Sequence, residues 1–253
     1  MKLDTDKTAF IGCAGWSIPK AHASGFPDVG SHLERYATRF TAVEINSSFY
    51  RPHRPATYAK WAVAVPDSFR FAVKVPKTIT HEKRLVDVHQ PLRAFLAEVA
   101  ALDNKLGPLL VQLPPSLAYS DTVEAFFDTL RGFFNGYVAC EPRHASWFAP
   151  EADALLAKFH IGRVAADPAV VPQAAEPGGW KGLLYYRLHG SPTIYRSAYS
   201  SDFLARLTAD IRVATARAAE PTAATWCIFD NTANGEATGN ALDLIARIRH
   251  IAE

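Results

Sequence analysis

Short apolar runs alternate with segments of helical period along the whole chain. Eight runs have the length of buried strands, and they cover residues 10–14, 42–46, 69–75, 109–113, 137–141, 163–167, 183–189 and 226–230. Between them, apolar residues recur three or four positions apart, which is the spacing of a helix with one buried face. The last such segment, 239–251, carries an apolar residue at every third position from Leu242 to Ile251. The pattern therefore predicts eight strand–helix units.

Two helix boundaries are marked by particular residues. Ser31 followed by Glu34 has the capping-box pattern, which predicts a helix that begins after Ser31. Gly107 and Pro108 follow a helical segment at 92–106, and glycine followed by proline is typical of a helix end. The third helix is therefore expected to end at Gly107.

Strands that alternate with helices pair in parallel, because a right-handed helical crossover returns the chain to the same end of the sheet. Eight such units predict an α/β fold, a single (β/α)8 barrel of the TIM type that comprises residues 1–253 as one domain. A doubly wound open sheet is the alternative. That fold carries a glycine-rich phosphate loop after its first strand, and the segment 12–15 (GCAG) does not match GxGxxG.

The alternation of side chains along a strand separates two faces in the third predicted strand. One face carries only apolar residues, at positions 69, 71, 73 and 75, whereas Lys74 lies on the other. A barrel strand turns one face toward the covering helices and the other toward the barrel axis. Because the apolar face belongs under the helices, Lys74 is expected to point inward near the carboxyl end of the strand.

The same treatment of the other strands yields a set of inward polar residues near their carboxyl ends. The set consists of Glu44, Asn46, Lys74, Gln112, Glu141, Arg143, Asp167, Arg187, His189 and Asp230. Active sites of barrel enzymes lie at this end, where the loops after the strands build the pocket. The sequence therefore predicts a ligand-binding or catalytic site. The structural alternative is a salt-bridge network that only neutralises itself, because buried charges must be paired.

The segments that follow the strands are basic and aromatic, and they supply further predicted ligand contacts: Trp16, Tyr50, Arg51 and Tyr195. Cations beside aromatic rings suit phosphates, sugars or nucleobases, so a small anionic ligand is expected, with a nucleic acid as the alternative partner. The inward carboxylates and His189 are also metal-ligand types, but the neighbouring cations compete for them. No metal ligand is assigned, and the cofactor is left open.

Composition limits the compartment and the membrane contacts. The chain has 253 residues, 49% of them hydrophobic, and its net charge of +2 is too small to indicate nucleic acid or a membrane by itself. Three cysteines lack zinc-like spacing, and no apolar run is long enough to cross a bilayer. The polar segment 1–7 lacks the apolar core of a secretory signal. A cytoplasmic protein without a membrane partner is expected, and its oligomeric state is left open.

Motifs spread over nearly the whole chain resemble those of one family. They are GCAGWS at 12–17, VEINSSFYR at 43–51, FAVKVP at 71–76, GPLLVQLPP at 107–115, EPRHASW at 141–147, RLHG at 187–190 and FDNT at 229–232, with Tyr195, Tyr199 and Ser200. Together they are similar to the YecE-like family, a domain of unknown function (72). The resemblance implies a TIM-type barrel, no established reaction, and characteristic residues that coincide with the inward set apart from Asp167. Cys13 and the stretch 18–30 depart from the family pattern.

Two functions fit these observations. The first is an enzyme, such as a hydrolase or lyase, that acts on a phosphate-bearing or otherwise anionic substrate, including a nucleotide or nucleic acid. In it, Lys74, Arg143 and Arg187 bind the anion. Glu44 or Glu141 is the general base, His189 the general acid or base, and Asp230 or Asp167 orients a cation. The second is a non-catalytic module that binds a small ligand or nucleic acid at the same site.

Overall fold

The computed structural model describes residues 9–120, 122–217 and 224–250. The segment 1–7, from which the cytoplasmic prediction was drawn, and Ile251 of the last predicted helix lie outside these ranges. In the described chain there are ten strands: β1 Phe10–Cys13, β2 Ala42–Ile45, β3 Arg70–Lys74, β4 Leu106–Gln112, β5 Val138–Glu141, β6 Ile161–Arg163, β7 Ala165–Asp167, β8 Gly178–Gly179, β9 Leu183–Leu188 and β10 Ala224–Phe229. Each of the eight predicted strands overlaps at least one of them.

Helices separate most of the strands. The α-helices of the described residues are α1 His32–Ala37, α2 Ser47–Tyr50, α3 Pro55–Val63, α4 His89–Val99, α5 Thr122–Phe133, α6 Pro150–Lys158, α7 Ser201–Arg217 and α8 Glu236–His250. Short 3-10 helices cover Lys20–Gly25, Ala100–Lys105, Ala145–Phe148 and Pro172–Ala175, and a π-helix covers Thr78–Glu82. The capping box of α1 is confirmed, because Glu34 N donates to Ser31 Oγ at 3.3 Å and Ser31 N donates to Glu34 Oε2 at 2.7 Å. None of the described helices is both long and apolar enough to cross a membrane.

The strands form two sheets, in the orders β1-β10-β9-β7 and β2-β3-β4-β5-β6-β8. All pairings are parallel except that of β8, which runs antiparallel to β6. The sheets meet twice. At one meeting, β6 and β7 are separated by a single residue, Val164. At the other, β1 and β2 are joined by a parallel bridge between Ala14 and Glu44. The prediction of a mixed α/β fold with parallel strands is confirmed.

Buried apolar residues fall into two separate cores. The large core lies between the strands and the helices and includes Val43, Phe71, Leu109 and Phe127. The small core is formed by alternate residues of the same strands: Ala42, Ala72, Leu110, Ala139, Val164, Leu183, Tyr185, Trp226 and Ile228. In several strands, a residue of the small core lies two positions before a residue of the predicted polar set. The strand face that carries the small core is therefore apolar first and becomes polar toward the carboxyl ends of the strands.

One predicted helix boundary is wrong. The α4 helix ends at Val99 and is followed by a 3-10 helix, whereas Gly107 and Pro108 lie within β4. A Cβ atom at Gly107 would lie 2.6 Å from the Trp226 ring and 3.0 Å from the Phe71 carbonyl oxygen. The glycine is therefore required for close packing of β4 against a large ring of the small core, a reason that the local sequence does not contain.

Side-chain hydroxyls connect β1 to β2. Tyr36 of α1 is completely buried, and its hydroxyl accepts from Cys13 N at 2.7 Å and donates to Ala42 O at 3.1 Å. Thr41 Oγ1 accepts from Ile11 N at 3.2 Å in the same seam. A β-carbon at Gly12 would collide with the Ala42 carbonyl oxygen and the Tyr36 hydroxyl, so only glycine leaves room for this arrangement. The hydroxyl groups thus replace part of a backbone ladder between the two sheets.

We expect Tyr36→Phe to lower the free energy of unfolding by about 1–3 kcal/mol, because it leaves a buried N–H and a buried C=O without partners. Urea denaturation monitored by circular dichroism measures the change. The matched control is Tyr58→Phe, since the buried Tyr58 hydroxyl has no hydrogen-bond partner among the described residues. That control should be neutral or slightly stabilising. Equal destabilisation of both variants would contradict the role given to the Tyr36 hydroxyl.

Candidate active site

Arg187 lies at the centre of a buried group of charged side chains. It is only 1% exposed and belongs to β9, while Glu44 lies one residue before the end of β2 and Glu141 ends β5. Its Nη2 is 2.8 Å from Glu44 Oε1, its Nη1 is 3.0 Å from Glu141 Oε2, and its Nη2 is also 2.9 Å from Asp230 Oδ2. Its Nε lies 3.1 Å from both oxygens of Glu44. All the guanidinium nitrogens therefore bind carboxylates.

Glu44 is the carboxylate of this group that contacts the small core. It is completely buried, and in addition to Arg187 its Oε2 accepts the Tyr185 hydroxyl at 2.9 Å. Tyr185 belongs to the small core, two residues before Arg187 on the same face of β9. Burial is the main reason that the pKa of Tyr185 is raised, and the Glu44 charge adds to it, so the phenol stays a donor. Tyr185 and Arg187 thus hold the Glu44 carboxylate in place as a counterion of Arg187.

His189 lies between two buried carboxylates. Its Nδ1 is 3.0 Å from Asp230 Oδ2, and its Nε2 is 2.8 Å from Glu141 Oε1. Arg143 Nη2 contacts both members of the His189–Glu141 pair. It lies 2.6 Å from Glu141 Oε1 and 3.0 Å from His189 Nε2. Asp230 orients the ring through Nδ1, and Nε2 then either donates to Glu141 or accepts from Arg143. The imidazole can therefore exchange a proton without moving.

Charges determine the ionisation of the two carboxylates beside His189. Burial alone would raise the pKa of Glu141, but the positive charges of Arg187, His189 and Arg143 hold it well below its usual range. The pKa of Asp230 is also lowered, since Arg187 and the hydrogen bond from His189 outweigh its burial. Both groups are therefore anionic at neutral pH, and they can accept hydrogen bonds or orient a cation.

Lys74 ends β3 in the same layer and is 7% exposed. Burial, followed by the charge of Arg187, lowers its pKa from 10.5 to about 8, although Glu44, Glu141 and Asp230 act in the opposite direction. Its ammonium nitrogen lies 4.1 Å from the centroid of the Phe49 ring. Among the described residues it has neither a hydrogen-bond partner nor an ion pair.

The other predicted contacts differ in how closely they approach this group. The Tyr195 ring packs edge-on against His189, with centroids 5.8 Å apart, and Gln112 pairs in register with Glu141. The half-buried Asn46 has an Oδ1 without a partner in the described chain. Trp16 packs against Trp61. Tyr50 and Arg51 are exposed and touch none of the buried charges.

The prediction that Asp167 points inward is wrong. Asp167 pairs with Leu188, a residue of the large core, and its Oδ1 accepts the Tyr199 hydroxyl at 2.8 Å. In this part of the chain it is Val164 that belongs to the small core, while Ala165 belongs to the large one. The assumption that the more apolar face lies under the helices fails here, because Asp167 finds a hydrogen-bond donor on the helix side.

No group of three or more histidine, cysteine or carboxylate side chains within the described ranges is arranged to hold a metal ion. The physical reason lies in the ion pairs. Arg187 occupies oxygens of Glu44, Glu141 and Asp230, which a metal would otherwise use.

Three contributors to the site were not predicted: Tyr185, Phe49 and His81. Tyr185 shares the inward face with Arg187, so the alternation of β9 could have identified it. Phe49 and His81 lie on irregular segments after β2 and β3, and their rings pack together with centroids 4.9 Å apart. Burial and the charges of Lys74 and Arg143 lower the pKa of His81, which links it electrostatically to the buried group.

Curated relatives match part of the chain. The UPF0759 protein YecE of Escherichia coli (strain K12) is 33% identical over 142 residues, which is 55% of this chain and 50% of that protein. The UPF0759 protein YunF of Bacillus subtilis (strain 168) is 28% identical over 152 residues, covering 56% and 52%. The chain thus matches about half the length of these relatives.

Solved structures match nearly all of it. A DUF72 family protein from Enterococcus faecalis V583 superposes with a TM-score of 0.79 at 22% identity, covering 94% of each chain. A DUF72 family protein from Thermotoga maritima MSB8 superposes with a TM-score of 0.78 at 23% identity, covering 95% of this chain and 99% of that one. These likenesses show a shared fold. The model of the protein family of unknown function DUF72 matches residues 10–252, and the chain therefore belongs to the DUF72 family.

Proposed function

We propose that this protein is an enzyme that acts on a small anionic, phosphate-bearing substrate by general acid/base chemistry. The observation that carries the proposal is the placement of His189 between the carboxylates of Asp230 and Glu141. An imidazole oriented by one carboxylate and in contact with a second can take a proton from a substrate and return it. Asp230 has the orienting role, while His189 and Glu141 exchange the proton.

The anion would be bound by Lys74 and Arg143. Arg187 is fully occupied by carboxylates, so its role is that of an internal counterion rather than the ligand contact that the sequence suggested. Arg143, by contrast, is 18% exposed in its side chain, and its buried Nε lacks a partner among the described residues. A guanidinium with an unused N–H and an ammonium without an ion pair are suited to a phosphate or carboxylate.

A network that only neutralises itself explains these contacts less well. In such a network Lys74 would pair with one of the three buried carboxylates, and Arg143 Nε would have an acceptor. Instead, Lys74 forms no ion pair among the described residues, and the buried Arg143 Nε and Asn46 Oδ1 have no hydrogen-bond partner there. Buried polar atoms without partners cost free energy, so a ligand that satisfies them is favoured.

We also propose that the two sheets close into one (β/α)8 barrel, with residues 1–253 as a single domain in the cytoplasm. The shared small core supports closure, since it takes one face of strands from both sheets. Seams at Val164 and at the Ala14–Glu44 bridge would complete the ring. The site would then lie at the carboxyl-end mouth of the barrel.

A non-catalytic module that binds a small ligand or nucleic acid is the second candidate. The exposed Tyr50, Arg51 and Tyr195 around the site favour it, because exposed rings beside a cation suit nucleobases. The two functions differ in whether a product is formed.

We expect inorganic phosphate to bind the protein and Arg143→Gln to weaken that binding by about ten- to a hundredfold, the value of one hydrogen bond to a charged group. Isothermal titration calorimetry measures the affinity. Arg247→Gln is the matched control, because Arg247 pairs with Asp243 on α8, away from the site. An equal loss in both variants, or no binding to the wild type, would contradict the anion site.

We expect Glu141→Gln to slow turnover by about a hundredfold or more, because the amide cannot take the proton. Wild type and variant are incubated with a panel of phosphate-bearing aldehydes, ketones and nucleotides, and products are followed by ¹H and ³¹P NMR. Arg247→Gln should match the wild type. Wild-type rates in Glu141→Gln would remove Glu141 from the chemistry. Phosphate binding without any product would favour the non-catalytic module.

We expect Arg187→Met to lower the free energy of unfolding by about 3–5 kcal/mol near neutral pH, because the buried carboxylates lose their shared cation. In the wild type, the lowered pKa values of Glu141 and Asp230 stabilise the fold above their ordinary values of 4.5 and 3.8. This stabilisation is lost as the pH falls through the folded-state values.

Without Arg187, the folded-state pKa values of both carboxylates rise, so the penalty of the substitution should shrink as the pH is lowered from about 7 to about 5. Urea midpoints across this range measure the effect. Arg247→Met, which breaks an exposed pair, should cost less than about 1 kcal/mol at every pH. A penalty for Arg187→Met that is equally small would show that the carboxylates do not depend on it.

A further inference from the structure

Lys74 differs from the other cations of the site in what it contacts. Arg187 and Arg143 both form ion pairs with carboxylates at 3.0 Å or less. The Lys74 nitrogen instead faces the Phe49 ring at 4.1 Å and has no polar partner among the described residues. The nearby carboxylates are already bound to other groups. The Lys74 amine is therefore close to acidic and basic side chains but forms no hydrogen bond or ion pair with any that the structure describes.

A second buried lysine shows the contrast. Lys105 is 8% exposed, and its Nζ donates to the carbonyls of Ala62 at 2.8 Å and Val65 at 2.6 Å and lies 3.4 Å from Asp67. Those contacts hold its ammonium in a structural position. Lys74, equally buried, has only its backbone fixed, since its carbonyl accepts the Ser48 hydroxyl at 2.7 Å. Its amine is therefore available for chemistry.

Irregular backbone builds the surroundings of the Lys74 amine. Phe49 comes from the short helix α2, and its ring is held by His81, with centroids 4.9 Å apart at 83°. His81 lies in the π-helix Thr78–Glu82, directly before a turn in which Arg84, Leu85 and Asp87 all have positive φ. π-helical turns and left-handed non-glycine residues are costly and gather at functional sites. The loops after β2 and β3 thus place an aromatic face against the amine.

The electrostatics of the site raise the unprotonated fraction of the Lys74 amine at physiological pH. Burial and the positive charge of Arg187 lower the pKa of Lys74 to about 8, with Glu44, Glu141 and Asp230 acting against them. His81, the titratable group on the other side of Phe49, is itself coupled to Lys74. About a tenth of the amine is then unprotonated at pH 7, whereas an ordinary lysine has less than about one part in a thousand.

We propose that Lys74 is a covalent catalytic residue that forms an imine with the carbonyl carbon of an aldehyde or ketone carrying an anionic group. The proposal deepens the proposed function and rests on it, because Arg143 would bind the anionic group and the His189–Glu141 pair would move the protons. The role of Lys74 changes from binding the anion to attacking the carbonyl carbon. The proposal narrows the substrate class to carbonyl compounds.

The steps balance without an added oxidant or reductant. The unprotonated Nζ donates its electron pair to the carbonyl carbon, while the carbonyl oxygen takes a proton and the nitrogen loses one, giving a carbinolamine. Protonation of the hydroxyl group by His189 or Glu141 then releases one water and leaves the positively charged iminium. Glu44, Glu141 and Asp230 stabilise this cation in the place of the original ammonium.

Reductive trapping tests the proposal on the intact protein. Wild-type protein is incubated with glyoxylate, a small anionic aldehyde, and sodium cyanoborohydride near pH 7, where hydride transfer converts the iminium to a secondary amine. Intact mass spectrometry and peptide mapping then count and locate the carboxymethyl groups. We expect Lys74 to be labelled on the order of a hundredfold faster than the exposed Lys60 of α3, in line with the difference in free amine.

Lys74→Arg keeps the positive charge but cannot form an imine, so the fast label should disappear, while Lys60→Arg should retain it. Labelling of Lys74 at the rate of Lys60 in the wild type would overturn the proposal without requiring any variant to fold. Turnover retained in Lys74→Arg would also overturn it, yet leave the acid/base function intact. Turnover retained in Glu141→Gln would instead count against the proposed function itself.

Discussion

One guanidinium links the two sheets through their charges. Arg187 belongs to the four-stranded sheet, whereas Glu44 and Glu141 lie at or next to the ends of strands of the six-stranded sheet, and Asp230 follows β10. Each carboxylate would be costly to bury alone, and the one cation that reaches all three is Arg187. The ionisation of the three acids therefore depends strongly on this residue. Because Arg187 neutralises them, Lys74 forms no ion pair among the described residues and the Nε of Arg143 has no partner there.

Much of the site could be predicted from the alternation of side chains along regular strands. Glu44, Glu141 and Arg187 lie at or near the ends of uninterrupted parallel strands, where every second side chain keeps the same direction. The pattern identified the residues that share a layer. It could not identify which of them touch, and so Arg187 was assigned to the ligand although the structure uses it for the carboxylates.

The failures have local physical causes. At Asp167 both faces of the strand contain small apolar residues, and the partner that decides the direction, Tyr199, is distant in sequence. Position 107 requires glycine because the Trp226 ring of another strand packs against it, and this glycine does not mark a helix end. Phe49 and His81 lie in short helical turns of four and five residues, which are too short for a periodic pattern in the sequence. In each case the decisive contact is made between segments whose proximity only the fold determines.

The side-chain seam between β1 and β2 has a consequence for the order in which the chain assembles. Within each sheet the strands are joined by backbone hydrogen bonds, but between β1 and β2 the Cys13 N–H and the Ala42 carbonyl are satisfied by a hydroxyl that belongs to α1. The first strand therefore cannot attach fully to the second until α1 has packed against both. Because Glu44 follows Ala42 on the same strand, its carboxylate reaches its final surroundings only when this junction is made.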